Sequence, residues 1–355
     1  MTRLPLPNSL GYSLYLSSFA AQCSALGGWS SPGTPLFLSL HISEEFDDTY
    51  CSRAEKICHD LAEQGFRLIA DVSVKTQTQF GCSDLVELAL KLRLWALRID
   101  YGFSAEEIAQ MARRIPVVVN ASTVSPEDAR LIAAGGQQVF AMHNFYPRPE
   151  TGLDEAYLLE TTKKLQSAGL KVLAFIPGDT MGRGPLFEGL PTLEAHRNVL
   201  PSAAFVDLAQ RFGVDEIFLG DPGISETEAA RIDRFCRENV ISVPAALDEQ
   251  YAHLYDRVFT CRVDSPKWLV RFQESRTYSC QGRTVEPENC VARQRGAITI
   301  DNCSYGRYSG EVMMIRQDLA ADARVNVIGH VPENAFLLMD NIRRGQKFTL
   351  VRMDG

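Results

Sequence analysis

The stretch from residue 96 to residue 145, ALRIDYGFSAEEIAQMARRIPVVVNASTVSPEDARLIAAGGQQVFAMHNF, decides the fold. Three short runs in it are rich in apolar and β-branched residues, and two segments of helical character separate them. Runs that are apolar on both faces are typical of strands in a buried parallel sheet. The stretch therefore predicts repeated β/α units, with strands in ALRIDYG (96–102), PVVVNAST (116–123) and QVFAMHNF (138–145).

The same alternation extends over the first 223 residues. The five further runs are GYSLYLS (11–17), PLFLSLHI (35–42), RLIADVS (67–73), KVLAFIPGD (171–179) and EIFLGDPG (216–223). Eight consecutive units favour an α/β fold of the (β/α)8 TIM-barrel type over an open doubly wound sheet. Neither GxGxxG nor a P-loop motif occurs, so nothing indicates a nucleotide site.

The segments between the runs carry signals for helix starts and ends. Ser104-Ala-Glu-Glu107 and Ser225-Glu-Thr-Glu228 fit capping boxes, and Ser125-Pro126 fits an N-cap followed by proline at the first helical position. Gly65 and Gly169 stand where C-caps belong. The connection after the first strand has room for a short helix.

A different pattern begins after Asn239. The segment ISVPAALDEQ (241–250) is interpreted as a linker, and the residues beyond about 253 predict a compact all-β domain, a barrel or a sandwich. We therefore expect a TIM-barrel catalytic domain over 1–240 and a β domain over 250–355. The predicted strands of the second domain are KWLVRFQES, GAITIDN, GEVMMIR, RVNVIGHV, FLLMDNI and KFTLVRM.

Composition limits the classes of partner. The 355 residues carry a formal charge of −8, which argues against a basic surface for nucleic acid or an anionic membrane. No apolar run approaches the length of a membrane helix, and the first residues do not resemble a signal peptide. The nine cysteines are scattered without a CxxC pair, which indicates reduced thiols in a cytoplasmic protein.

Polar residues collect at the predicted carboxyl ends of the strands, where a (β/α)8 barrel carries its active site. Each of them alone is also compatible with an ordinary turn or cap. Their shared position predicts a concave pocket for a polyhydroxylated or anionic small molecule. The polar residues are His41, Asp71, Asp100, Asn120, His143, Asn144, Asp179 and Asp221, and Gly178 is a further binding candidate at the end of the seventh strand.

Several carboxylates on one rim fit acid/base chemistry at a glycosidic bond, which needs one protonated and one ionised carboxyl group. Glu150, in HNFYPRPETG (143–152), is a further candidate. Arg148 in that stretch and Arg183 in the Gly/Pro-rich segment 177–197 are predicted to bind a phosphate. The alternative is a rigid surface loop with solvated arginines.

Metal and cofactor chemistry are not favoured. His41, Asp71 and His143 are the residues that would have to converge on a divalent ion, but no metal-binding spacing supports a site. A pyridoxal phosphate barrel would need a lysine at a strand end, and Lys75 is poorly placed in a loop. We therefore expect no metal and no cofactor.

Eight segments together resemble one bacterial family, the 6-phospho-N-acetylmuramidases. These segments are GYSLYLS, SLHISEE, RIDYGFS, NAST, HNFYPRPETGL, FIPGD, RGPLFEGLPTLEAHR and GDPGIS, and DNCSYGRYSGE (301–311) with RVNVIGHV resembles the family's second domain. The resemblance implies a TIM barrel followed by a small cyclophilin-like β domain. It also implies hydrolysis of the β-1,4 bond between N-acetylmuramic acid 6-phosphate and N-acetylglucosamine in peptidoglycan recycling.

The partner implied is a phosphorylated amino-sugar disaccharide, without nucleic acid or membrane and with a homodimer left open. We expect Asp100 and Glu150 to act at the bond first, with Asp179 and Asp221 in reserve. Tyr305 and Arg307 resemble a contribution of the second domain to the site, or else form a strand-turn corner with exposed tips.

The chain departs from the family at two places beside the rim. Ser43 stands where the family tends to have proline after SLHI, and the first β/α connection is short and divergent. The sugar accepted is therefore open. The alternatives are a 6-phospho-glycosidase of another sugar and a catalytically silent protein that binds or senses a sugar phosphate.

Overall fold

The structure, a computed structural model, describes residues 9–16, 18–22, 32–40, 49–135, 138–276 and 284–353. The chain forms two compact units. The first extends to Pro201 and resumes over Leu208–Ala229, and the second consists of Ser202–Asp207 and the chain from Ala230 onward.

The first unit contains a closed barrel of eight parallel strands, which confirms the predicted architecture. Each strand pairs with the next in chain order, and β1 closes the barrel on β8. The strands are β1 Leu10–Leu14, β2 Pro35–Ser39, β3 Arg67–Val72, β4 Ala96–Ile99, β5 Val117–Asn120, β6 Val139–Met142, β7 Lys171–Ile176 and β8 Glu216–Leu219.

Helices follow the strands, and three of them begin at the predicted signals Ser104, Ser125 and Ser225. The Ser104 side chain accepts from the Glu107 amide and the Glu107 carboxylate accepts from the Ser104 amide, which completes a capping box. Gly65 and Gly169 have φ of 87° and 94°, the left-handed conformation that ends a helix. The helices are α1 Tyr50–Glu63, α2 Val74–Phe80, α3 Leu85–Lys91, α4 Ala105–Ala112, α5 Pro126–Ala133, α6 Glu155–Ser167, α7 Pro201–Asp207 and α8 Glu226–Glu238.

In the described ranges no helix is both long and apolar enough to cross a membrane. The predicted connection after β1 lies largely outside the described residues. After β3 the chain forms two short helices, α2 and α3, before it enters β4.

The barrel interior is filled by one apolar cluster. Its buried members come from seven of the strands: Phe37, Ile69, Ala96, Val118, Phe140, Met142, Leu173, Phe175 and Phe218. Successive side chains of a strand point to opposite faces, so the residues two positions later face the interior again. On β3 to β6 those later positions are polar. Asp71 stands two residues after Ile69, and Arg98 and Asp100 stand two and four residues after Ala96. The apolar cluster therefore supports a polar layer at the carboxyl ends.

The second unit is built on a seven-stranded mixed sheet in the order β10-β15-β9-β14-β12-β13-β11. Neighbouring strands are antiparallel except β9 and β15, which are parallel. The rings of Phe259, Phe272 and Phe348 pack together in its core. The strands are β9 Val240–Leu247, β10 Val258–Thr260, β11 Leu269–Arg271, β12 Ala297–Asp301, β13 Val312–Ile315, β14 Val325–His330 and β15 Lys347–Arg352.

Two predictions for the second unit are wrong. The segment interpreted as a linker forms strand β9. Its Pro244 pairs with β15 on one side only, because β14 on the other side pairs with Ala246 and Leu247 alone. A proline, which lacks an amide hydrogen, is therefore tolerated in this strand. The segment FLLMDNI forms helix α9, Phe336–Asp340, instead of a strand. Leucine and methionine favour a helix, and the Arg316 guanidinium donates to the Met339 and Ile342 carbonyls at its end.

Candidate functional site

A cavity of about 320 Å³ lies within the first unit at the carboxyl ends of the barrel strands. Its lining combines aromatic rings with two carboxylates and two guanidinium groups. The lining residues are Phe37, Ser39, Asp71, Arg98, Asp100, Asn144, Phe145, Tyr146, Phe175 and Arg183. Four predicted site residues thus converge here, namely Asp71, Asp100, Asn144 and Arg183.

Arg98 joins three of these side chains, although the sequence did not single it out. Its side chain is buried, and it donates to Asp71 Oδ1 at 2.6 Å and to Asn144 Oδ1 at 2.5 Å. The Asp100 Oδ1 atom lies 3.6 Å from the same guanidinium. A buried ion pair needs such additional hydrogen bonds to offset the cost of leaving water. The network therefore fixes Arg98, Asp71 and Asn144 relative to one another.

Asp100 extends further toward solvent than Asp71. One quarter of its side chain is exposed, and the side-chain nitrogen Nδ2 of Asn120 lies 3.5 Å from its Oδ1. Asp71 Oδ1 and Asp100 Oδ1 both lie near the Nη1 atom of Arg98. Their separation is therefore at most about 6.2 Å, the sum of the two distances. Both carboxylates are close enough to act on one bond.

Arg183 enters the cavity from the loop after β7. Its guanidinium lies 4.3 Å from the centre of the Tyr15 ring and 5.8 Å from that of Phe145. The Tyr15 hydroxyl donates to the Gly220 carbonyl at 2.5 Å, and burial raises its pKa well above the ordinary value, so the ring is fixed and neutral. The Arg183 side chain forms no ion pair with a carboxylate of the described ranges. A cation held against aromatic faces in this way can accept an anionic ligand.

Asp221 lies beneath this loop and does not line the cavity. It is only 1% exposed, and its carboxylate accepts from the backbone amides of Gly178 at 2.9 Å, Arg183 at 3.1 Å and Leu190 at 2.9 Å. A Cβ on Gly178 would lie 2.1 Å from the Gly223 carbonyl oxygen, so glycine is required there. Asp221 and Gly178 thus shape the loop that carries Arg183.

Asp179 is also engaged outside the cavity. Its carboxylate accepts from the Ser225 amide at 2.7 Å and from the Ser225 hydroxyl at 2.6 Å, immediately before helix α8. Ser225 Oγ in turn accepts from the Glu228 amide at 3.3 Å. The structure therefore places Asp179 at the start of α8.

The stretch HNFYPRPETG folds into a corner held by Glu194. The Glu194 carboxylate accepts from the amides of Glu150 at 2.9 Å and Gly152 at 2.8 Å, and it pairs with Arg197 at 2.7 Å. Arg197 also donates to the carbonyls of Tyr146 and Arg148. Hydrogen bonds from Arg197 lower the pKa of Glu194 to about 2. The two longest family segments are therefore locked together.

Arg148 and Glu150 lie on the exposed side of this corner and do not line the cavity. Glu150 has φ of 69°, a left-handed conformation, and its amide is the one bound to Glu194. The structure brings its backbone into the corner and leaves its carboxylate in solvent.

His143 and Asn144 separate in the structure. Asn144 lines the cavity, whereas His143 is completely buried and faces the opposite side of the strand end. Neither ring nitrogen of His143 has a hydrogen-bond partner among the described residues, and burial lowers its pKa to about 4. His143 is therefore neutral at physiological pH.

The other predicted residues lie elsewhere. His41 falls outside the described residues. Tyr305 and Arg307 belong to the second unit, in the 3-10 segment Cys303–Tyr308. There the Tyr305 hydroxyl donates to Asp322 at 3.2 Å, and Arg307 donates to the Tyr308 hydroxyl at 2.8 Å.

Sequence reasoning missed Arg98, Tyr15 and the pair Glu194–Arg197. Arg98 had a usable signal, because it stands two residues before Asp100 and so faces the same side of β4. Tyr15 follows β1 at a strand end, as the predicted residues do on other strands. The pairing of Glu194 with the corner had no local signal, since 44 residues separate it from Glu150.

Comparison with known proteins decides the family. Residues 10–234 match the family described as 6-phospho-N-acetylmuramidase, N-terminal, and residues 240–351 match 6-phospho-N-acetylmuramidase, C-terminal. The chain belongs to the 6-phospho-N-acetylmuramidase family. The two matches cover nearly all of the chain, so both units take part in the relationship.

Two solved structures resemble this 6-phospho-N-acetylmuramidase family member over almost its whole length. One is described as a conserved protein of unknown function from a locus in Enterococcus faecalis, with 31% identity, a TM-score of 0.83 and coverage of 97% of this chain and 96% of that one. The other, an uncharacterized B. cereus protein, has 22% identity, a TM-score of 0.78 and coverage of 98% and 100%. The second likeness shows the fold alone.

A shorter match concerns one segment. It is 40% identical over 73 residues to a UPF0288 protein of Methanothermobacter thermautotrophicus. The match covers 21% of this chain and 13% of the length of that protein.

Proposed function

We propose that the chain is a cytoplasmic glycoside hydrolase that cleaves the β-1,4 bond between N-acetylmuramic acid 6-phosphate and N-acetylglucosamine in peptidoglycan recycling, without metal or cofactor. The observation that carries the proposal is the meeting of Asp100, the Asp71–Arg98 pair and Arg183 in one cavity. The family to which the chain belongs supports the glycosidase role.

Arg183 is the proposed ligand of the 6-phosphate. Its guanidinium lines the cavity, and the Tyr15 ring beneath it orients the planar group. Guanidinium groups bind phosphate oxygens through paired hydrogen bonds, which gives direction as well as charge. A local cation of this kind is needed because the chain as a whole has a formal charge of −8.

Asp100 and Asp71 are the proposed carboxyl groups at the bond. Retaining glycosidases separate their two carboxyl groups by about 5–5.5 Å and inverting enzymes by about 6.5–9.5 Å. The limit of about 6.2 Å between the two oxygens supports the retaining type. In that reaction one carboxyl donates its proton to the glycosidic oxygen as the bond breaks. The other bonds to the anomeric carbon. Water then displaces it from that carbon, and the first carboxylate takes up the proton of the water.

Glu150 was the first-choice partner of Asp100 on sequence grounds. Its place on the exposed corner favours Asp71 in that role, because a reacting carboxyl must reach the bond. Asp179 and Asp221 are proposed to support the site through the loops that they hold. The predicted binding role of Arg148 stays a prediction. The predicted contribution of Tyr305 and Arg307, in the second, cyclophilin-like domain, to substrate binding stays a prediction.

The test is release of N-acetylglucosamine from the phosphorylated disaccharide. Asp100→Asn should lower kcat by about 10²–10⁴-fold, as expected for loss of an acid or base. Asp60→Asn, on the exposed face of α1, is the matched control and should retain full activity. A protein that releases no sugar from any 6-phospho-glycoside would refute the proposal. Cleavage of a different 6-phospho-glycoside alone would change the sugar and leave the site in place.

A second pair of variants separates the carboxylates. Asp71→Asn should be inactive, whereas Glu150→Gln should keep most of the activity. The fluoride of N-acetylmuramic acid 6-phosphate, whose leaving group needs no proton, identifies the acid. The acid variant should still release one equivalent of fluoride in a burst, whereas the variant that lacks the nucleophile should release none. Loss of activity in Glu150→Gln with an active Asp71→Asn would return the role to Glu150.

A further inference from the structure

Phe187 has an unusual conformation on the loop that carries Arg183. Its φ is 58°, the left-handed region that a bulky aromatic residue rarely adopts, and 69% of the residue is exposed. Burial of the ring therefore does not explain the conformation. Residues held in rarely populated backbone regions cluster at functional sites, where the surrounding structure maintains them.

The surroundings of Phe187 do maintain it. Its amide donates to the Arg183 carbonyl at 3.1 Å, which closes a five-residue turn. A Cβ on Gly184 would lie 3.1 Å from the Phe187 ring, and a Cβ on Gly182 would lie 3.3 Å from the Phe187 backbone. The base of the turn is fixed in addition by the hydrogen bond between the Arg183 amide and Asp221. The exposed ring therefore lies on a well-supported turn, close against Gly184.

The same turn begins in the cavity. Arg183, its first residue, lines the cavity with its guanidinium, and Phe187 is its last. A cavity of about 320 Å³ is at the lower end of the range for small-molecule sites. A phosphorylated sugar bound to Arg183 would fill much of it, so a second sugar would have to lie outside the cavity.

We propose that Phe187 is a specificity-determining residue that packs against the sugar ring beyond the phosphorylated one. This inference rests on the proposed function. The C–H face of a pyranose is apolar, and an exposed aromatic ring provides a flat apolar partner for it.

The test compares two substrates that share the phosphorylated sugar. One is the disaccharide, and the other is the fluoride of N-acetylmuramic acid 6-phosphate, which lacks the second ring. Phe187→Gly removes the ring and relieves the left-handed backbone, so the turn should persist. We expect kcat/KM for the disaccharide to fall about tenfold, with kcat/KM for the fluoride unchanged. Phe187→Tyr should retain the wild-type ratio.

Leu186→Ala is the matched control, because Leu186 is a neighbouring residue of the same turn and is 47% exposed. It should leave both rates near the wild-type values. Equal losses on the two substrates in Phe187→Gly, or no loss on either, would overturn the inference about Phe187. If the wild-type protein hydrolyses neither substrate, the proposed function itself has failed, and the two failures are thus distinguishable.

Discussion

Replacement of Glu194 by glutamine tests how the corner is held. The carboxylate binds the amides of Glu150 and Gly152 and the guanidinium of Arg197, whose side chain is only 7% exposed. Glutamine has nearly the same shape but no charge. It can satisfy some of these donors and leaves the buried cation of Arg197 without its counter-charge. The variant should therefore loosen the corner without removing its packing.

The magnitude follows from the pKa of Glu194. The fall from 4.5 to about 2 corresponds to at most about 3 kcal/mol of stabilisation of the charged form. Because 30% of the side chain is exposed, solvent screening reduces this to about 2 kcal/mol. Amide hydrogens of Glu150 and Gly152 should then exchange about 30-fold faster in the variant if they exchange through local opening.

The effect should depend on pH in one direction. The pKa of Glu194 is lower in the folded state than in the unfolded state, so its stabilisation is complete well above pH 4.5 and is lost as pH falls toward 2. About 40% should remain at pH 3. Hydrogen exchange at pH 7 and pH 4 in both proteins measures the trend. The electrostatic explanation would be refuted if the amides of Glu150 and Gly152 were equally protected in wild type and variant at pH 7. A difference between the two proteins that grows on acidification would refute it as well.

Two further substitutions probe buried carboxylates. Burial, aided by the charge of Glu311, raises the pKa of Asp301 to about 7, so stability of the second unit should fall as pH rises from about 4 to above 7. Asp301→Asn should therefore be more stable than wild type at pH 8, by about 2 kcal/mol, and similar at pH 4 in denaturant titrations; equal stability at pH 8 would contradict this. Asp221→Asn should cost about 2 kcal/mol and raise KM, since one amide of the Arg183 loop loses its acceptor. A kinetically silent Asp221→Asn would argue against that support.

The barrel was predictable because its signals are local. Apolar runs and capping patterns depend on neighbours in sequence, and the strands begin within one residue of the predicted starts. The predicted ends were too long, as in ALRIDYG, where β4 ends at Ile99 and Asp100 already belongs to the rim. A polar residue that follows the last hydrogen-bonded residue of a strand and faces the cavity cannot be told from a strand residue in the sequence.

The arrangement of the site was less predictable because it depends on distant contacts. All four aspartates Asp71, Asp100, Asp179 and Asp221 stand at strand ends. The carboxylates of Asp179 and Asp221 bind backbone amides, whereas Asp71 and Asp100 line the cavity. Only the fold distinguishes a carboxylate beneath a loop from one above it. The strand prediction for FLLMDNI was wrong for a related reason. The four-residue apolar run FLLM fits either a strand or a helix until its end is seen to meet Arg316.

The network of Asp71, Arg98 and Asn144 has a consequence for the evolution of the family. Replacement of a buried ion pair by well-packed apolar residues is often neutral or stabilising. Selection for folding resists the loss of one of these side chains, because a single loss leaves a buried charge without its partner. It does not oppose their joint replacement by apolar residues. If the trio serves the ligand as proposed, relatives that retain it are expected to act on a ligand. A relative in which all three became apolar together would be a stable barrel without that task. The trio can thus serve as a marker for separating active lineages from silent ones.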